Sequence, residues 1–336
     1  MNNRFQKWVF TIVILSVLLV ISIVLGLSIG EVNFNISEIF SILNSKTGVE
    51  YSIITNIRLP RIILGLAVGG SLSISGLVLQ AIYRNPLVEP YTLGISGGAA
   101  LGVAIGIVFG AVNIFSVFTL PIYGIIGAVI TIIFMYILSM RRTHLNINSI
   151  LLTGVMISFI TSSAIMLLLA TTSTEKLQNI IFWTMGSLEE PNSVLIYFVL
   201  ATSIIGLIIF YAFVGQLNAL RLGENHAKNL GVNTSLVIKT LFIVASIITG
   251  ISVATAGVIG FVGLVVPHLL RYLIGNDYRI LLISTFIGGG IFLILSDVIA
   301  RSVISPNELP IGVITGIIGG TIFIFAISKS KKLLNY

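Results

Sequence analysis

Uncharged runs of membrane length alternate with short polar stretches along the whole chain. A helix needs about 20 apolar residues to cross roughly 30 Å of hydrocarbon, so each such run predicts a span. Residues 8–30 give the first and 62–83 the second. Between Glu89 and Arg141 no charge occurs, which leaves room for two spans broken near Asn113 and Pro121. Residues 143–174, 191–220, 280–296 and 309–328 supply four more, each ending in polar or charged residues. Arg4 and Lys7 ahead of the first run imitate a secretory signal. That run is too long for one and lacks a small-residue cleavage site, so it reads as a span.

The remaining stretch, 240–270, has to go out and return. The basic loop 217–239 before it and Arg271 with Arg279 after it both belong on the cytoplasmic side. Its helix would reach only about 46 Å, short of two crossings, so one leg must be short or broken. Gly257, Gly260, Gly263 and Pro267 put that defect in the second leg. Such a segment is tolerated only when buried among other helices. The predicted fold is an all-α integral membrane protein of about ten transmembrane helices, one short or broken, with both termini cytoplasmic. Residues 1–336 then form a single transmembrane domain, with a cytoplasmic loop at about 215–239.

Composition points to the same solvent. Of 336 residues 56% are hydrophobic and 9% charged, with a mean hydropathy of +1.12, which excludes a soluble globular domain. Eighteen Lys and Arg against 11 Asp and Glu give +7. The basic residues lie between apolar runs, so topology accounts for them and no nucleic acid partner is implied. On the predicted topology 13 of the 18 are cytoplasmic, which agrees with the positive-inside rule. Lys46, Arg58, Arg61, Lys176 and Arg301 fall outside, together with most of the acids. Without cysteine there is no disulfide framework, thiolate metal site or Cys nucleophile.

Gly94, Gly98, Gly102, Gly106 and Gly110 recur every four residues in the third span, and Gly312, Gly316 and Gly320 repeat the spacing in the tenth. Small residues so spaced let helix backbones approach closely, a packing device rather than a ligand site.

Five motifs follow in order. Arg58-Leu59-Pro60-Arg61 opens the second span and is followed by Gly69-Gly70-Ser71 and Ser75-Gly76-Leu77-Val78-Leu79-Gln80. Arg84-Asn85-Pro86-Leu87-Val88-Glu89-Pro90, with Leu93-Gly94, makes the cytoplasmic turn into the third span. Leu222-Gly223-Glu224-Asn225-His226-Ala227-Lys228-Asn229-Leu230-Gly231-Val232 occupies the long cytoplasmic loop. Gly260-Phe261-Val262-Gly263-Leu264-Val265-Val266-Pro267-His268, with Arg271, falls in the broken segment. Ser296-Asp297 with Arg301, and Glu308-Leu309-Pro310-Ile311-Gly312, come last.

Together these resemble the permease family that serves iron-siderophore, haem and cobalamin ABC importers of the ten-span, type II kind, over nearly the whole chain from about Arg58. The resemblance implies a cell-membrane subunit that pairs with a second permease copy, identical or related. It also implies two cytoplasmic ABC ATPase subunits, which bind the ATP and Mg, and an extracytoplasmic substrate-binding protein. No cofactor is implied in this chain. The residues agree with that division of labour, since a P-loop needs Gly-Lys followed by Ser or Thr and no Lys here follows a Gly.

The cytoplasmic motif suits a docking element. An acid at Glu224 and a helix-terminating Gly231 predict a short helix, for which the resemblance implies a role in ATPase coupling through Leu222, Gly223, Glu224, Ala227, Leu230 and Gly231. An ordinary solvated loop is the plainer alternative. The resemblance also implies that Arg58, Arg61 and Arg301 meet acidic residues of the binding protein, and the guanidinium fork fits carboxylates. Asp297, four residues before Arg301, offers that arginine a local ion pair instead. The pathway is implied to lie between two permease copies, with the fifth and tenth spans prominent. Its candidates are Thr153, Ser158, Thr161 and Ser162 as lining, with Asn85, Leu87 and Asn148 near an inner gate. Ser and Thr within membranes also bond commonly to their own helix. His268, Asp297 and Glu308 read as helix-end partners, and no catalytic constellation or metal site is expected.

The function expected from these residues is translocation, without chemical change, of a ferric chelate (siderophore or haem) or cobalamin. An ion-coupled secondary transporter or channel and an intramembrane enzyme stay open as alternatives. The near absence of ionisable groups within the spans disfavours ion coupling.

Overall fold

The computed structural model describes residues 2–110, 118–140, 147–190 and 192–329, and within these every regular element is helical. Asn113, Pro191, Arg141, Arg142, Lys331 and Lys332 lie outside the described residues. The chain opens with α1 (Asn2–Ser28), then two short helices, α2 (Ile36–Ser45) and α3 (Val49–Ser52). A π-helical turn, Ile53–Arg58, leads without a break into α4 (Leu59–Tyr83). Next come α5 (Ile95–Val108), α6 (Thr119–Met140), α7 (Ile147–Thr171), α8 (Thr174–Met185) and α9 (Ser193–Ala212). After α10 (Val214–Leu220), α11 (Glu224–Asn229) and α12 (Thr234–Ala256), the chain ends with α13 (Val262–Ile274), α14 (Tyr278–Ser302) and α15 (Ile311–Lys329).

Among the described residues, six helical stretches are long and apolar enough to cross a membrane: α1, α4 with its preceding turn, α7, α9, α12 and α14. Four shorter apolar helices, α5, α6, α13 and α15, accompany them. This is a multi-pass helical membrane protein.

Helix α4 is the axis of the bundle. It packs against α14, α12, α9 and α13 and is buried along almost its whole length. Small residues permit this crowding, because a Cβ at Gly69 would stand 2.2 Å from the Gly289 carbonyl oxygen of α14. In α5 the four-residue glycine spacing works the same way. A Cβ at Gly102 would lie 2.1 Å from the Tyr123 carbonyl oxygen of α6. In α15 the pattern is only partly used, since Gly312 is closely approached by the Met185 carbonyl while Gly316 faces open space.

The out-and-return segment contains the expected defect. Helix α12 ends at Ala256, residues 257–261 are non-helical, and α13 has 13 residues, which span only about 20 Å. The linker is held by its neighbours. The Ser187 N–H donates to the Ala256 carbonyl (2.9 Å), and the Ile311 N–H donates to the Gly186 carbonyl (3.2 Å), which ties the linker region to the start of α15.

Three boundaries differ from the sequence reading. Pro121 sits in the first turn of α6 rather than between helices, where its missing N–H has no intrahelical acceptor to lose. Helix α8 was not anticipated, because Glu175 and Lys176 end the apolar run; its Lys176 Nζ donates to the Val108 carbonyl at the end of α5 (2.8 Å). The run ending near residue 220 divides at Phe213 into α9 and α10.

Candidate functional site

Where the start of α4 meets the end of α14, the three arginines expected to dock a partner are 3%, 4% and 5% exposed, and all are engaged within this chain. The Arg58 guanidinium donates to the Leu27 and Val32 carbonyls and lies 4.7 Å from the Phe34 ring centroid. Arg61 donates to both carboxylate oxygens of Glu308 (2.8 and 2.5 Å), with Glu189 3.6 Å away. Arg301 donates to the Gly26 carbonyl (3.2 Å), and its Nε lies 2.9 Å from Asp297 Oδ2. Buried charges need partners, and these arginines find them in α1 and the segment just after it, in α14 and in the loop before α15. The groups that reach the surface here are Glu189, 71% exposed, and Glu308, 45% exposed. The hydrogen bonds from Arg61 hold the Glu308 carboxyl below its ordinary range. Arg61, Asp297, Glu308 and Ser187 line a cavity of about 260 Å³.

On the opposite side, α10 and α11 form a compact step. Gly223, at φ +114°, turns the chain into α11, and Gly231, at φ +81°, turns it out again. Ala227 is fully buried beneath the helix, whereas Leu222 (55% exposed) and Leu230 (66%) flank it at the surface. Glu224 pairs with Lys228 one turn later (2.8 Å) and accepts from the Thr234 hydroxyl of α12 (3.3 Å). The short helix is thus anchored by a buried alanine and bounded by two exposed leucines.

Between these faces, α4 meets the short helix α13. Pro267 lacks the N–H that would bond the Gly263 carbonyl four residues earlier. Gln80 Nε2 donates to that oxygen instead (3.0 Å), and Gln80 Oε1 accepts from Arg271 Nη1 (2.6 Å). In the turn between α4 and α5, the buried Glu89 carboxyl accepts the backbone N–H of Phe261, at the start of α13. Burial pushes that carboxyl up to about 7, against the opposing pull of the hydrogen bond. Phe261 in turn packs on α15, where a Cβ at Gly319 would stand 2.5 Å from the Phe261 Cβ. Sequence reasoning passed over Gln80 and Glu89 as functional residues. The signal available was a proline inside an apolar helix, which obliges some partner to satisfy a freed carbonyl.

The candidate gate and lining residues are spread over the turn and α7. Asn85 Oδ1 accepts from the Leu87 N–H (2.9 Å), an Asx turn that leaves the Leu87 side chain 49% exposed. Asn148 begins α7, and its side chain lies outside the described residues. The Ser158 hydroxyl donates to the Gly154 carbonyl (3.1 Å) and the Thr161 hydroxyl to the Ile157 carbonyl (3.0 Å), both within their own helix. Thr161 is buried against Gly97 of α5, Thr153 is half-buried and Ser162 is exposed. His268 meets Phe323 of α15 edge-on, ring centroids 5.9 Å apart.

The fold and the two faces define a helical membrane permease of the ABC transporter class. The chain belongs to the FecCD transport family, whose model matches residues 18–329. It is 35% identical to the hemin transport system permease protein HmuU of Yersinia pestis, over 99% of each chain. It is 34% identical to the vitamin B12 import system permease protein BtuC of Vibrio vulnificus, over 98% of this chain and 96% of that one. A solved inward-facing structure of a metal-chelate type ABC transporter superposes with a TM-score of 0.83, at 32% identity, covering 96% of this chain and 100% of that one.

Proposed function

We propose that this chain is the translocating subunit of an ATP-driven importer in the cytoplasmic membrane, with ten spans and both termini inside. It carries a ferric chelate, siderophore or haem, or cobalamin. Relatives named for haem and for vitamin B12 stand at nearly equal identity, which supports the class of bulky metal chelates rather than one member. ATP and Mg bind on two partner ATPase subunits. A second permease copy covers the outward face of α7, where Phe159, Ser162 and Met166 are exposed. An extracytoplasmic binding protein meets the outer face over Arg58, Arg61 and Arg301, at which Glu189 and Glu308 come to the surface.

The observation that carries this reading is α11, a rigid step on the inner face with Leu222 and Leu230 exposed on either side of a buried Ala227. Such a helix fits a groove on an ATPase, and movement of that groove biases the bundle between outward-open and inward-open states. Glu224→Ala with Leu230→Ala tests it. The lost Glu224–Lys228 pair is exposed and contributes little to the fold. The expected outcome in proteoliposomes with ATPase and binding protein is ATP hydrolysis without uptake of labelled chelate. Normal coupling in the double variant refutes the docking role of α11.

A further inference from the structure

The inner end of α4 carries a feature that neither transport face uses. Arg84 caps the helix in the left-handed region (φ 49°, ψ 34°), a conformation that glycine or asparagine adopts at lower cost. The Arg84 side chain is exposed and, among the described residues, makes no hydrogen bond or ion pair. It lies beside Gly223, its Nη1 3.7 Å from where a Cβ there would stand, and so next to the start of α11.

Arg84 is one of three arginines around a single small cavity of about 30 Å³, with Arg221 at the end of α10 and Arg271 near the end of α13. Each of the other two spends one nitrogen on a neutral oxygen: Arg221 Nη1 donates to the Asn276 carbonyl (2.8 Å), and Arg271 Nη1 to Gln80 (2.6 Å). Among the described residues, no carboxylate lines the cavity. Of the acids nearest in sequence, Glu224 is occupied by Lys228, Asp277 by Asn218 (3.3 Å) and the Arg279 N–H (3.1 Å), and Glu89 is buried and does not line the cavity. Three like charges around one space repel until an anion enters, and the volume suits the oxygens of one carboxylate rather than a free ligand.

We propose that this cavity receives an acidic side chain of the ATPase subunit, as a second contact beside α11. The inference rests on the reading of α11 as the ATPase-binding helix. A protein carboxylate is favoured over an anionic lipid headgroup because α4 is the most enclosed of the long helices, 89% of its apolar window being buried. Its end therefore opens in the middle of the inner face, away from the lipid rim.

Arg84→Gly is the informative variant, since glycine suits the left-handed cap while removing the exposed side chain and its charge. Binding of the purified ATPase to the full chain in nanodiscs is measured against salt, with wild type, Arg84→Gly, Arg84→Glu and Leu230→Ala in parallel. Arg84→Gly is expected to keep the wild-type melting temperature, weaken binding about tenfold and flatten its salt dependence, the loss of one charge-assisted contact. Arg84→Glu is expected to weaken binding further. Wild-type affinity and salt slope in Arg84→Gly overturn the proposal, as does a loss seen only when the nanodisc carries anionic lipid, which assigns the cavity to a headgroup. Normal binding by Leu230→Ala with loss in Arg84→Gly refutes the α11 reading and leaves the arginine cavity standing. Failure of the wild-type chain to bind the ATPase overturns both.

Discussion

Gln80 gives Gly263 the hydrogen bond that Pro267 withholds. The amide bridges two helices, donating to the Gly263 carbonyl at 3.0 Å and accepting from Arg271 at 2.6 Å. It thereby joins the long central helix to the short one at the latter's weakest point. Gln80→Leu leaves a buried carbonyl without its donor and a guanidinium without its acceptor, each costing about 1–3 kcal/mol. A lower melting temperature in detergent is the expected result. Pro267→Ala restores a helical N–H to Gly263, so Gln80→Leu is expected to cost measurably less in that background. Additive losses in the double-mutant cycle would show that Gln80 does not compensate for the proline.

The Arg61–Glu308 clamp predicts an acid-sensitive outer face. Glu308 titrates below its ordinary value of 4.5 because Arg61 bonds its charged form. For a carboxyl depressed in the folded state, the clamp contributes fully above the unfolded value and is lost as pH falls through the folded one. Melting temperature should therefore drop on acidification below about 4.5, and Glu308→Gln should flatten that drop while lowering stability at neutral pH. An unchanged acid limb in Glu308→Gln would remove Glu308 as the titrating group. The same contacts mean that Arg58→Glu with Arg61→Glu would be read first as loss of folding, which makes those substitutions unsuitable as probes of partner binding.

The bundle was legible because lipid simplifies the code: uncharged length predicts a span, and 31 residues that must cross twice predict a broken leg. The gap at 257–261 and the 13-residue α13 bear this out. Where amphipathic or charged residues interrupt a run, length alone fails, and α8, with Glu175 and Lys176 in its first turn, was missed for that reason. Pairings across the chain were also out of reach. The positions of Arg58 and Arg61 against the positive-inside trend signalled that these charges needed partners, yet nothing local says that Arg61 meets a carboxylate 247 residues away. Arg301 shows the contrast, since its ion pair with Asp297 lies at i,i+4 spacing and could be anticipated. Gln80 belongs with Arg61, because the proline in α13 announces an unpaired carbonyl without saying which helix will supply the donor.

Glu89 makes the inner turn sensitive to pH in the opposite sense. Its carboxyl is raised to about 7 by burial, so the folded chain favours the protonated form. Stability is greatest below the unfolded value of 4.5 and declines as pH rises toward about 7, where the folded carboxyl ionises at the start of α13. Arg271 of α13 is turned toward Gln80. Glu89→Gln keeps an oxygen to accept the Phe261 N–H and removes the titration. Its melting temperature is expected to exceed that of the wild type at pH 8 and to match it near pH 5. Glu89→Leu, which leaves the Phe261 N–H unpaired, is expected to be less stable than Glu89→Gln at both pH values, by about 1–3 kcal/mol. If Glu89→Gln and the wild type melt in parallel across this range, the carboxyl is ionised throughout and the turn has no proton-linked stability.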